Sequence, residues 1–508
     1  MGRWRKYFVL MLLLAIGIQP VLLQTSNGSI KIELGSEEKV FEYVNDRCVE
    51  LDLPNVYAHP VRTPNGITLV SGNAPDNYFM FGKDFNSLNR SCVPVLRSGD
   101  KWEVESFDHQ EWITSVYSED GVTIHALVHN EYHDPYSSKC KPGITDPSNP
   151  CWFNFITYAK STDGGRTFTQ PASPNHLVAM LPFQWNPDAA RRGTPPPHGY
   201  FEPSNIIKHD GYYYCMFFGL TSNTDMGKRG TCIMRTDDIS LPGSWKIWDG
   251  NGFNIPLINP YTNLLPDSGT FLPAFVSFSS IRDLRGSLTW NTYLEKFMLC
   301  GAGVHPVDGV ETCGFFFSLS DDLMNWSQPQ LIRETILGWS PCNKQTPGQA
   351  ARNIVQEAYP SIIDHDSPDT SFTSVDSTAY LYFMQNMDNW KPGGWGLRRD
   401  LVRTPIRFIK DVSLTNMDQE INVIPILDNH PNPFKTSTVI RWQSPVSGQT
   451  TLVVFDVLGR KVKTLVDGFK QQGEYTVDFD SQDLPSGTYF YQLKAGTHVT
   501  TKKMMKIK

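Results

Sequence analysis

One unit recurs along the middle of the chain: a short apolar strand often opened by Pro, a polar turn, a second aromatic strand, a loop, a third strand, then a turn holding Asp and an aromatic residue. The clearest copy reads Glu202-Pro203-Ser204-Asn205-Ile206-Ile207, His209-Asp210-Gly211, Tyr212-Tyr213-Tyr214 and, after a loop, Ile233 to Asp237. Others are His59-Pro60-Val61-Arg62 with Ile67 to Val70, Ile113 to Tyr117 with Val122 to Val128, Pro273 to Val276 with Lys296 to Leu299, and Tyr359-Pro360-Ser361-Ile362-Ile363 with Tyr380 to Phe383. Each copy alternates like a half-buried strand set and forms a small antiparallel sheet that cannot bury both faces alone. Radial repetition solves that problem and leaves only short edges. The expected fold is therefore all-β, a five-bladed β-propeller, with a two-sheet sandwich as the competing solution. The composition agrees: 12% aromatic and 19% charged residues exclude disorder and coiled coil.

The ends of the chain differ from its middle. Arg3, Arg5 and Lys6 precede the apolar run Phe8 to Ile18, the layout of a secretory signal and too short for a stable membrane anchor. Residues 1–24 are read as that signal, 25–412 as the propeller and putative catalytic domain, 413–421 as a linker and 422–508 as a further domain. The formal charge of −7 is a cancellation: the leader carries +3, the tail has 11 Lys and Arg against 7 Asp and Glu, and the body holds −14. No basic field exists to gather nucleic acid. All nine cysteines lie in the body, which suits an exported protein. Cys140 with Cys151, Cys215 with Cys232, and Cys300 with Cys313 could each close a hairpin, leaving Cys48, Cys92 and Cys342; buried unpaired thiols are the alternative.

Antiparallel strand order returns the loop between second and third strands to the rim where the first strand begins. The long loops His129 to Cys151, Leu220 to Thr231, Ala302 to Thr312 and Gln385 to Gly396 fall there, where sites are built. Glu202, between Phe201 and Pro203, would be partly desolvated, so that it could hold a proton and deliver it to a glycosidic oxygen. Its context, Phe-Glu-Pro-Ser-Asn-Ile-Ile then Asp-Gly-Tyr-Tyr-Tyr, is similar to the third-blade general-acid segment of the five-bladed glycoside hydrolases of family 43. That resemblance implies a carboxylate acid/base enzyme with Glu202 as acid. The family's first- and second-blade aspartates would align near His59 and Ile113, so Asp52, Glu111, Glu131 and Glu357 are the candidates for a second carboxyl. Ser161-Thr162-Asp163-Gly164-Gly165-Arg166-Thr167-Phe168 resembles the Asp box of sialidases, with weaker versions at Ser320 to Trp326 and Thr236 to Trp245; such boxes mark fold, not substrate.

His59, His109, His129, His133, His198 and His305 also map to the rim, densest at His129-Asn130-Glu131-Tyr132-His133. His59, His129, Glu131, His305 and Trp395 are the expected sugar contacts, with Trp185, Trp339 and Trp390 as further stacking surfaces. The same histidines suit a polysaccharide lyase, in which His or Tyr removes a proton beside a uronate. They also leave open a divalent cation such as calcium, although no CxxC or Cys/His spacing marks a metal site and no cofactor is assigned. A non-catalytic glycan-binding propeller is the third reading.

From about Asn422 cysteine disappears and short alternating strands follow. His430-Pro431-Asn432-Pro433-Phe434, Val454-Phe455-Asp456-Val457-Leu458-Gly459-Arg460, Leu484-Pro485-Ser486-Gly487-Thr488-Tyr489 and the end Lys502-Lys503-Met504-Met505-Lys506 closely resemble the type A C-terminal sorting domain of type IX secretion. The resemblance implies a small immunoglobulin-like β-sandwich of seven strands, passage through the periplasm, the type IX secretion machinery as partner, and a secreted or cell-surface protein; the propeller reading gives a polysaccharide or oligosaccharide as the expected substrate.

Overall fold

The structure is a computed structural model that describes residues 30–72, 76–99, 101, 103–133, 152–185, 199–221, 229–263, 271–337, 355–388, 396–410, 427–444, 448–470, 473–495 and 498–507. The leader and Trp395, with Trp339, Trp390, His198, Cys140, Cys151 and Cys342, lie outside the described residues. The described chain is nearly all β and divides into two compact units, one of them Ile30–Lys410 and the other holding the C-terminal strands.

Among the described residues of Ile30–Lys410 the strands follow one another as antiparallel meanders, the second and third joined into one ten-stranded sheet by the parallel pair Asn154 and Gly199. The first runs His59–Thr63, Gly66–Val70, Met80–Gly82 and Asn89–Arg90; the second Glu111–Tyr117, Ile124–His133, Trp152–Ser161 and Leu177–Ala179. The third is built on Tyr212–Leu220 and Arg229–Thr236, with Gly199–Phe201 and Ile207–His209 pairing the same inner edge. The fourth runs Ser287–Asn291, Lys296–Val307, Val310–Ser320 and Gln330–Glu334. The fifth, Gln356–Ile363, Thr378–Asn386 and Arg399–Lys410, is completed by Ile30–Leu34 and Glu38–Phe41 from the other end of the chain. Turn chemistry matches strand twist: Asp210 and Gly211, at φ +47° and +80°, join His209 to Tyr212 as a two-residue turn with both φ positive.

The core lies between consecutive meanders. Val61 and Ile113 share one apolar cluster, Phe155 and Phe217 a second, Met216 and Phe316 a third, Phe315 and Phe383 a fourth, and Tyr382 and Leu69 a fifth. Each sheet thus buries its two faces against its two neighbours, and the last packs on the first.

Three expectations change. The fourth meander opens at Ser287–Asn291, an alternating strand directly before its hairpin partner, rather than at Pro273 to Val276. Ala302 to Thr312 is no loop, because the strands Lys296–Val307 and Val310–Ser320 run through it to a tight turn at Asp308 and Gly309. The disulfide pairing also differs: Cys48 bonds Cys92, Cys313 is disulfide-bonded as well, and Cys215, Cys232 and Cys300 are free and buried. Register explains it, since Cys215 faces Met234 and Cys300 faces Phe317, so neither hairpin sets its two thiols opposite each other.

The Ser161 turn is held by Asp163, whose Oδ1 accepts the N–H groups of Arg166 and Thr167 at 2.9 and 3.0 Å, while Phe168 enters the core against Phe79. Asp322 takes the N–H groups of Met324 and Asn325 in the same way, and so does Asp120 those of Val122 and Thr123. The last of these escaped the sequence pattern because no aromatic residue follows it.

In the C-terminal unit seven strands form a three-stranded and a four-stranded sheet. One apolar cluster, including Trp442 and Phe479 from the first and Leu452 and Tyr491 from the second, fills the space between them. Lys506 is buried, and its ammonium donates to the carbonyls of Ser481, Gln482 and Leu484.

Candidate active site

A cavity of about 260 Å³ gathers residues from three meanders and from the segment ahead of the first. Trp112 and Thr114 come from the strand Glu111–Tyr117, His129 and Glu131 from Ile124–His133, Glu202 from just after Gly199–Phe201, and Tyr359 from Gln356–Ile363; Asn55, Val56 and Tyr57 complete it. Strand alternation selects these side chains. Trp112 and Thr114 line the cavity, whereas Ile113 between them joins the core cluster.

Glu202 and Tyr359 occupy equivalent places in the repeat, each before a Pro-Ser pair, and each has a positive φ, +51° and +55°. Non-glycine residues there are strained and persist only where the surroundings hold them. At Tyr359 the ladder shifts register between Ala358 and Ser361, so the bulge turns its ring into the cavity, edge-on to Tyr57 with centroids 5.4 Å apart.

The two carboxyls of the cavity stand in opposite environments. Glu202 Oε2 accepts a hydrogen bond from Arg285 Nε at 2.6 Å and forms an ion pair with its Nη2 at 2.5 Å. Burial works against the Arg285 charge, but the Glu202 carboxylate more than offsets this and the guanidinium pKa is raised; its carbon also lies 4.4 Å over the Phe218 ring. Glu131 Oε1 lies 3.7 Å from His129 Nε2. Burial pushes its carboxyl up to about 8, opposed by His129 and reinforced by Glu202. His129 is itself oriented by Asn154 Oδ1, 3.1 Å from Nε2, and packs edge-on to Trp112 at 5.0 Å.

Of the described residues expected from sequence, Glu202, His129 and Glu131 meet in this cavity and the others do not line it. Asp52 is fully buried beside Arg90, 3.3 Å away, and takes the Cys48 N–H at 3.0 Å under the Cys48–Cys92 disulfide. Glu111 accepts from Gln170 at 2.6 Å and is pushed up to about 7 by burial, but does not line the cavity. Glu357 is held bidentately by Arg333 at 2.8 and 2.9 Å. His59 stitches strands together, with Nδ1 2.6 Å from the Thr114 carbonyl and Nε2 3.2 Å from that of Gly286; burial lowers it to about 4. His305 packs edge-on to Phe316, and its pKa is lowered by burial. Trp185 packs against Tyr132 and Phe153. Among the described residues no three His, Cys, Asp or Glu side chains converge as a metal-binding group.

Sequence reasoning missed Arg285, Trp112, Tyr57 and Tyr359. Only Tyr359 had a signal, its shared place with Glu202 in the repeat. A larger cavity of about 450 Å³ lies beside Asp364, His365 and Tyr380. There the His365 ring is sandwiched between Phe85 and Tyr380 at 3.9 Å on each side and lowered to about 3 by burial, so its faces are already filled.

Residues 429–508 match the family described as secretion system C-terminal sorting domain, and this part of the chain is such a type IX sorting domain. No curated protein matches the chain. Among solved structures it is similar to a sucrose-6-phosphate hydrolase from Lactobacillus gasseri, at 11% identity over 92% of this chain and 93% of that one, TM-score 0.36. It is similar too to an α-L-arabinofuranosidase from Fusarium graminearum, at 13% over 74% and 98%, TM-score 0.34. A family 117 glycoside hydrolase from Zobellia galactanivorans follows at 11% over 63% and 90%, TM-score 0.29. No helix among the described residues is long and apolar enough to cross a membrane.

Proposed function

We propose that Ile30–Lys410 is a five-bladed β-propeller that hydrolyses a glycosidic bond, exported and displayed or released through the C-terminal sorting domain, which has an immunoglobulin-like fold. Five meanders, each sharing an apolar cluster with the next and the fifth with the first, support the propeller. The observation that carries the reaction is the contrast between Glu131 and Glu202 on one cavity. A pair of carboxyls pushed apart by their environments divides into acid and base. Glu131, whose carboxyl burial pushes up to about 8, keeps its proton at neutral pH and donates it to the departing glycosidic oxygen. Glu202, paired with Arg285, either activates water or attacks the anomeric carbon. This exchanges the role expected for Glu202 from its sequence context, because a carboxylate gripped by a guanidinium is a poor proton donor. Trp112 and Tyr359 offer ring surface to the sugar.

The test is a panel of chromogenic glycosides and polysaccharides with the purified protein and its Glu131→Gln and Glu202→Gln variants. New reducing ends, lost at least about 100-fold in both variants, are expected; a product absorbing near 235 nm, roughly where unsaturated uronates absorb, would show lyase chemistry instead. Saturable glycan binding with neither product would leave a binding propeller.

A further inference from the structure

Glu202 sits in a stretch with no ladder of its own. Residues 202–206 lie between the strands Gly199–Phe201 and Ile207–His209, and Glu202 has φ +51°. The Ser204 backbone N–H and side chain tie this stretch to Met216 of its own meander, at 2.7 and 2.9 Å. Two further ties cross toward the fourth meander in a regular way. Glu202 pairs with Arg285; three residues on, Asn205 meets Leu288, three residues beyond Arg285. There the Asn205 Oδ1 accepts the Leu288 N–H at 2.7 Å and its Nδ2 donates to the Leu288 carbonyl at 2.6 Å. The side-chain amide thus takes the place of a strand partner. Asn205 is 5% exposed and Leu288 wholly buried, so neither group can exchange its partner for water.

We infer that Asn205 is a positioning residue: its amide clamp on Leu288 sets the segment 202–205 in register against 285–288 and so fixes the Glu202 carboxylate on Arg285. Two ties three residues apart on both segments define position and direction, whereas the ion pair alone leaves the strained Glu202 backbone free to relax. A displacement of about 1 Å at such a carboxylate costs on the order of 100-fold in rate. The role in turnover rests on the reaction proposed for Glu202; the clamp itself does not.

The first measurement is therefore read without turnover: melting temperatures of the wild type, Asn205→Ser, Arg285→Met and the double variant. Ties that hold one segment are coupled, so the Tm loss caused by Asn205→Ser is expected to be at most half as large in the Arg285→Met background as in the wild type. Additive losses overturn the clamp. Should Asn205→Ser fail to fold, Asn205→Asp, which keeps the acceptor for the Leu288 N–H, takes its place in the cycle. The second measurement uses whichever glycoside the panel identifies: Asn205→Ser is expected to lower kcat at least about 10-fold with KM changed less than about 2-fold, and to shift the acidic limb of the pH profile. A lower Tm with unchanged kcat, KM and pH profile assigns Asn205 a merely structural part and overturns the positioning role. A wild type that hydrolyses nothing defeats the proposed reaction, and the cycle still decides the clamp.

Discussion

Glu202 and Arg285, 83 residues apart, meet through a hydrogen bond of 2.6 Å from Nε and an ion-pair contact of 2.5 Å from Nη2, at a cavity that also holds Glu131. The two carboxyls of the cavity thus differ in surroundings: Glu202 is paired with a guanidinium, whereas burial raises the pKa of Glu131.

Replacing Arg285 by Met leaves the carboxylate without its cation. The expected cost is about 3 kcal/mol, the lower end for breaking a buried pair, because Glu202 keeps 21% of its side-chain surface in water. Chemical denaturation reads that cost. The hydrolytic rate should fall at least about 100-fold, and Arg285→Lys, which cannot grip one oxygen with two donors, should recover only part of it.

Glu131 makes stability depend on pH in a definite direction. Its folded pKa of about 8 lies above the ordinary 4.5, so the native state binds more protons than the unfolded chain between those values. Stability from this group is full below about pH 4.5 and is lost as pH rises through 8. Glu131→Gln should flatten the decline, raising Tm at pH 8 relative to wild type more than at pH 5. Glu111, at about 7, contributes over a neighbouring window, so Glu111→Gln is the comparison that separates the two. Activity carried by a protonated Glu131 should fall on the alkaline side near pH 8, and Glu111→Gln should leave that fall in place.

The Cys48–Cys92 disulfide closes a loop of 44 residues over the buried Asp52 and Arg90. Replacing both cysteines with Ala should lower stability by about 2–4 kcal/mol. Because Asp52 and Arg90 lie outside the cavity lining, the variant at 20 °C should keep kcat within about 2-fold while its Tm falls.

In the sorting domain, Lys506→Met would leave the carbonyls of Ser481 and Leu484 without their donor. Such orphaned groups cost about 1–3 kcal/mol each. A full-length protein carrying it should accumulate inside the cell envelope and be depleted outside, whereas exposed Lys503→Met should be exported normally.

Much of the architecture was legible because its signals act over a few residues. Alternation in Tyr212–Leu220, the Asp210-Gly211 turn and the ordered motifs after His430 need only local sterics and one apolar face. The fourth meander was misplaced for the same reason: Pro273 to Val276 imitates a strand opener, and only pairing with Lys296–Val307 selects Ser287–Asn291. The cysteines failed on register, which shifts with every residue along a hairpin.

The residue types of the site were visible in the chain, but their grouping was not. Asp52, Glu111 and Glu357 looked as suitable as Glu131, and what removed them was a partner or a strand face supplied from elsewhere: Arg90, Gln170 and Arg333. Arg285 carries no local mark at all. Composition, periodicity and the terminal motifs determined an acidic β body with a repeat and a basic sorting tail, because these depend on neighbours in sequence. Which carboxyl keeps its proton was decided only when distant segments met, because desolvation and ion pairing belong to a place in space, not to a position in the chain.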